Sequence, residues 1–153
     1  MRLYLVRHGE AKSEDIDPQR GLTDKGRQDV ERVGAFLKPL GLAVSQVRHS
    51  GKARAAQTAE ILAQSLSAGQ GMIGHEGLAP LDPVEPIAGQ LTGMSDDLML
   101  VGHLPFMGCL ASFLIAGAES ADAVAFQEAS VVCLERDARS VWRVRWMVAP
   151  ELL

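Results

Sequence analysis

Two short apolar runs most constrain what this chain can fold into, because each stops abruptly at a histidine. Leu3 to Val6 runs into Arg7-His8-Gly9, and Leu98 to Val101 runs into Gly102-His103. A short apolar run without polar alternation is the pattern of a strand buried on both faces, the environment of a parallel strand covered by helices. Such sheets bind ligands in the crevice beyond the carboxyl ends of their strands. Both histidines are therefore expected at the edge of a sheet where sites form.

The other segments change period in a regular order. Glu10 to Gly21 is polar, holds Asp15, Asp17 and Pro18, and reads as a surface loop. Thr23 offers a helix N-cap, Asp24 follows it, Val30, Val33, Phe36 and Leu37 recur at helical spacing, and Gly41 stops the run. Ala43 to Val47 predicts a second strand, Ala53 to Leu66 a second helix, Met72-Ile73 a brief strand and Pro83 to Leu91 a short helix. Pro105 sits where a first helical turn accepts proline, and Phe106 to Ala116 continues as an almost wholly apolar helix. Ser130 to Glu135 and Val141 to Val148 read as two strands of a hairpin joined by Arg136 to Ser140. Trp142 and Trp146, four apart on the last of these, are expected to face one side of the sheet together. The order predicts an α/β protein: a three-layer α/β/α arrangement around a mixed, mainly parallel central sheet with an antiparallel C-terminal edge.

Composition bounds the function. With 153 residues the expectation is one domain covering residues 1–153, and 47% hydrophobic against 22% charged residues excludes wholesale disorder. A net charge of −4 argues against a dedicated nucleic-acid binder, so an anion site must be built locally from a few converging cations. No apolar run reaches membrane-spanning length and no signal-peptide layout opens the chain, so a cytoplasmic protein without a membrane partner is expected. Cys109 and Cys133 each lie among apolar residues and read as small buried hydrophobes. The four histidines lack metal-ligand spacing, and no Gly-x-Gly-x-x-Gly or P-loop supports a nucleotide, so neither metal nor cofactor is expected.

Arg54, near the start of the second helix, joins Arg7, His8 and His103 as a residue that the fold would bring to the same sheet edge. Arginine suits phosphate because its fork makes bidentate, charge-assisted bonds and stays ionised. Two arginines can hold a tetrahedral anion while a neutral imidazole attacks phosphorus and becomes N-phosphorylated. Neighbouring cations keep that imidazole neutral, and a second, protonated histidine would stabilise charge on the transferring group. From spacing alone the more ordinary reading is that these are polar groups scattered over strand ends.

The local strings decide between these readings. Leu5-Val6-Arg7-His8-Gly9-Glu10 resembles the signature of the histidine phosphatase superfamily, the phosphoglycerate mutase-like branch. Leu22-Thr23-Asp24-Lys25-Gly26, Arg54-Ala55-Ala56-Gln57-Thr58-Ala59 and Val101-Gly102-His103-Leu104-Pro105 are similar to the segments that follow in that family, in the same order. Within it the chain looks most like the short, SixA-like phosphohistidine phosphatases. Only 48 residues separate Arg54 from His103, where longer members insert a cap, so no sizeable cap and an open pocket are expected.

The resemblance implies that His8 is the nucleophile, that Arg7 and Arg54 bind phosphate oxygens, and that His103 stabilises the transition state. It implies a further phosphate contact at Arg20 and a general acid between Arg54 and His103, with Asp82 ahead of Glu76 and Glu85. It also implies metal-independent hydrolysis of phosphohistidine on a protein partner by a monomer. A small-molecule phosphomonoesterase of the same superfamily and a non-catalytic phosphate-binding module are the alternatives. Ser50 is expected to shape its loop rather than react, Glu10 to make a salt bridge at the pocket rim, and His49 and His75 to lie outside the chemistry.

Overall fold

The computed structural model describes residues 1–153. Its elements are β1 (Arg2–Arg7), α1 (Asp24–Leu37), β2 (Ala43–Val44), β3 (Gln46–His49), α2 (Ala53–Ala63), β4 (Ser67–Ala68), β5 (Met72–Gly74), α3 (Glu85–Thr92), β6 (Leu98–Gly102), α4 (Phe106–Ala116), β7 (Val131–Arg136) and β8 (Trp142–Val148). The main sheet has the order β5-β3-β6-β1-β7-β8. β5, β3, β6 and β1 are parallel, and β7 and β8 add an antiparallel edge.

Strand alternation divides the core into two halves. Leu3 and Leu5 of β1 pack with Leu98 and Leu100 of β6 against α3 and α4, in a cluster that also holds Phe106 and Leu110. Tyr4 and Val6 point the other way, with Met99 and Val101, into a cluster built on Val30, Val33, Ala59 and Leu62 of α1 and α2. Helices cover both faces of the sheet, as a parallel centre requires. The expected three-layer fold is therefore present, and no cap stands over it: the interval from Arg54 to His103 is spent on the rest of α2, β4, β5, α3 and β6. No helix is long and apolar enough to cross a membrane.

Several expectations need correcting. The strand read as Ala43 to Val47 is broken at Ser45, whose amide (2.7 Å) and hydroxyl (3.0 Å) both donate to the carbonyl of Asp97. Residues before the break pair with β4 in a separate two-stranded sheet, and residues after it enter the main sheet as β3. Because Ser67-Ala68 is recruited to that pairing, α2 ends at Ala63 rather than Leu66. Trp142 and Trp146 do not share a face. A register shift between Cys133 and Leu134 marks a bulge in the β7–β8 pairing, which inserts one extra residue and reverses the alternation. Trp142 consequently joins the α3/α4 cluster, while Trp146 packs on Tyr4 with ring centroids 5.9 Å apart. Cys133 is buried as expected, but Cys109 is only partly covered, on a flank of α4 where it lines a groove with Glu119 and Phe126.

Candidate active site

Three adjacent parallel strands, β3, β6 and β1, end at one level. Arg7 is opposite Gly102 and His49 is opposite Val101. The ladder continues one step past the strands, with the His8 amide donating to the Gly102 carbonyl (3.0 Å) and the Ser50 amide to the Val101 carbonyl (3.3 Å). Ser50, His103 and His8 thus leave neighbouring strand ends side by side, and α2 begins three residues beyond Ser50 to bring in Arg54 from its first turn.

The two imidazoles face each other with centroids 4.9 Å apart and planes tilted by 57°. His8 Nδ1 lies 2.7 Å from the carbonyl oxygen of Gly9. A carbonyl can only accept, so Nδ1 carries the proton and Nε2 keeps its lone pair. Arg54 Nε donates to that Nε2 at 3.3 Å. Burial, and then the charges of Arg54, Arg7 and Arg20, hold the His8 pKa at about 4, so the ring is neutral at pH 7. His103 is 1% exposed, and its Nε2 is 2.6 Å from the Ser50 hydroxyl oxygen. Burial, with His8 and Arg54 beside it, lowers its pKa to about 3. His103 is therefore a neutral ring at pH 7, because burial, the neighbouring His8 and the charges of Arg54, Lys52 and Arg20 all oppose its protonation.

The cations are held by long-range contacts. Arg7 donates from Nη1 to the Phe126 carbonyl (3.1 Å) and from Nη2 to Glu128 (3.3 Å), and its Nε is buried without a protein acceptor. Arg20 adopts a left-handed backbone with φ of 50°, uncommon for a residue with a side chain. Its loop is tied by Asp17, whose carboxylate accepts from the amides of Gln19 (2.9 Å) and Gly21 (3.0 Å). The Arg20 guanidinium donates from Nε to the Lys12 carbonyl (3.2 Å), and its charge is felt at His8, Arg54 and His103.

Residues that the chemistry did not single out join these parts. Thr58, fully buried, accepts from the Gly9 amide (3.1 Å) and donates to the Arg54 carbonyl (2.8 Å), locking α2 to the loop after β1. Gln57 accepts from the Leu22 amide at 2.7 Å. Both follow Arg54 by one helical turn, and that i+3/i+4 spacing is the signal that could have found them. Gly9 and Gly26 let α1 close on the same loop, since a Cβ on Gly26 would stand 2.1 Å from the Glu10 carbonyl oxygen. Glu10 accepts from the Thr23 hydroxyl (2.7 Å) and lies 4.0 Å from Lys25.

The acid candidates separate. Asp82 and Glu76, with Ser50, His75 and Pro83, line an open cavity of about 460 Å³ that starts beside His103's partner. Asp82 is tied into its turn by the Ala79 amide at 2.8 Å. Glu85 lines a different groove, with Trp142 and Phe113. His49 accepts at Nδ1 from the Gly51 amide (3.1 Å). No three His, Cys, Asp or Glu side chains converge as metal ligands.

Comparison with known proteins places this geometry. The model of the histidine phosphatase superfamily (branch 1) matches residues 3–83. An uncharacterized protein of Picosynechococcus sp. is 35% identical over 135 residues, 82% of this chain and 74% of that protein. The mitochondrial serine/threonine-protein phosphatase PGAM5 of Mus musculus is 30% identical over 90 residues, 56% of this chain. That match spans only 31% of the mouse protein's length. Among solved structures, the protein histidine phosphatase SixA complexed with tungstate superimposes with a TM-score of 0.85 at 22% identity, covering 99% of both chains. A mycobacterial glucosyl-3-phosphoglycerate phosphatase does so at 0.75 with 16% identity, covering 97% of this chain and 99% of that one. One fold thus carries a protein phosphatase and a small-molecule phosphatase, so the choice of substrate lies with residues at the site.

Proposed function

Since the chain belongs to the histidine phosphatase superfamily, we propose that it is a metal-independent phosphohydrolase that works through phosphorylated His8 and acts on phosphohistidine in a protein. The observation that carries this reading is the neutral His8, its Nδ1 proton committed to the Gly9 carbonyl and its Nε2 lone pair under Arg54. A phosphoryl oxygen takes over the Arg54 N–H, and Arg7 and Arg20 supply further positive charge. The Nε2 lone pair then bonds to phosphorus as the bond from phosphorus to the substrate nitrogen breaks. The departing imidazole takes a proton from solvent water, and the attack of water in the next step returns one. Water next attacks the phosphorus on His8, releasing inorganic phosphate and restoring the ring. Charge neutralisation comes from guanidiniums, so activity is expected to survive excess EDTA; its loss on chelation and return with Mg²⁺ would refute metal independence.

Two features support a protein substrate. The site is open, and small metabolites rely on enclosure for affinity, whereas a protein surface can dock around the pocket. Asp82, the proposed general acid, is engaged by the Ala79 amide. A phosphohistidine, whose leaving imidazole needs less acid assistance than an alkoxide, suits such a site. We place the enzyme in the cytoplasm as a monomer acting on a folded phosphoprotein. The test is a side-by-side comparison of a phosphohistidine protein, p-nitrophenyl phosphate and a panel of sugar phosphates. The protein should lead by at least about 100-fold in kcat/KM, some 2.7 kcal/mol of transition-state binding. A sugar phosphate that equals it would make this a small-molecule phosphomonoesterase.

A further inference from the structure

His103 is almost wholly buried, and its Nδ1 has no hydrogen-bond partner in the protein. A buried polar atom without a partner is costly, and at a binding site the missing partner belongs to the ligand. What that atom offers depends on which ring nitrogen holds the proton, and the environment of Ser50 decides it. The Ser50 hydroxyl oxygen accepts from the Lys52 amide at 3.4 Å and lies 2.6 Å from His103 Nε2. No protein acceptor other than Nε2 is within reach of the hydroxyl proton. If Nε2 carried the ring proton, the Ser50 O–H would turn to the open cavity that it lines, and the Nδ1 lone pair would face a phosphoryl oxygen, which has no proton to give it. If Ser50 donates to Nε2, only one group remains open: a proton on Nδ1, in a ring 4.9 Å from that of His8.

We propose that Ser50 is a positioning residue that fixes His103 as the Nδ1–H tautomer, so that His103 meets the transferring phosphoryl group as a neutral hydrogen-bond donor rather than as a cation. The proposal rests on the reading of His8 and His103 as the pair that handles the phosphoryl group, and it adds how the second ring is set. The hydroxyl holds the proton where it is needed before substrate arrives, which is what electrostatic preorganisation requires. The phosphoryl oxygen supplies the acceptor that Nδ1 lacks in the protein.

The test is nitrogen NMR on protein with ¹⁵N-labelled histidine at pH 7, alongside kinetics. In the wild type, His103 should show a directly bonded proton on Nδ1 and none on Nε2, and the Nδ1 signal should move on addition of orthovanadate. Ser50→Ala should leave a mixture of tautomers and lower kcat by about 10- to 100-fold, part of the loss typical of a preorganised donor, with KM changed by less than about threefold. Ser50→Thr, which keeps the hydroxyl, should restore both. A wild-type proton on Nε2, or a Ser50→Ala protein with an unchanged tautomer and kcat, would overturn the proposal. Failure to trap phosphate on His8 would instead refute the phosphotransfer reading, and the tautomer measurement would stand apart from it.

Discussion

Arg54 does two things that only arginine can combine. Its Nε is directed at the nucleophilic nitrogen of His8, and its remaining donors stay free for a phosphate. Lysine has the charge but neither the planar fork nor a donor fixed at that angle. Arg54→Lys should therefore lose roughly 10²- to 10³-fold in kcat/KM, the scale for one preorganised donor. Steady-state kinetics on any accepted phosphate ester checks it, and a Lys variant within about threefold of wild type would place Arg54 outside the reaction. Arg7 differs in being tied down at two of its nitrogens by Phe126 and Glu128, residues from the segment before β7.

At the scale of elements, the site depends on how closely α1 and α2 are drawn onto the loop after β1. α2 is fastened by Thr58 and Gln57, and α1 by the absence of a side chain at Gly26. A methyl there would stand 2.1 Å from a backbone oxygen, which cannot rotate away, so either the helix or the loop must move. Gly26→Ala should cost about 1–3 kcal/mol of stability, the usual range for overpacking. Because the loop that would shift also carries His8, kcat should fall in the same variant. Denaturant titration combined with kinetics checks both effects, and a variant as stable and active as wild type would show that this contact is not close.

This scale also shows where sequence reading stops. The strand ends with His8 and His103, the placement of Arg54 and both helical layers were legible, because apolar runs and helical periods are local signals. The break at Ser45 was not, since it depends on a carbonyl 52 positions away at Asp97. Nor was the hydrogen bond between Ser50 and His103, 53 positions apart, or the Arg7–Glu128 ion pair, 121 apart. The bulge that sends Trp142 and Trp146 to opposite faces is a property of the β7–β8 pairing, and neither strand alone reveals it.

For the molecule as a whole, the concentration of buried bases at one sheet edge makes both stability and activity depend on pH. The pKa of His8 is near 4 and that of His103 near 3, against 6.5 for each in an unfolded chain. Between those values the unfolded chain binds protons that the native protein does not. Stability is therefore fully present above pH 6.5 and is lost as pH falls through the native values. The nucleophile, by contrast, stays neutral over most of that window. The acid limb of kcat/KM should lie near pH 4, where His8 protonates, rather than near 6.5. A pH–rate profile taken with folding monitored in parallel checks this, and an acid limb at pH 6–7 in folded protein would contradict the burial of His8.

The central claim is that the phosphoryl group passes through His8, and trapping the intermediate tests it most directly. Wild-type protein mixed briefly with a radiolabelled phosphohistidine protein and quenched without acid should carry an acid-labile phosphate, located by peptide mapping at His8. His8→Ala, folded to the same extent, should carry none and should not turn over. Turnover in His8→Ala, or label on any residue other than His8, would contradict the account.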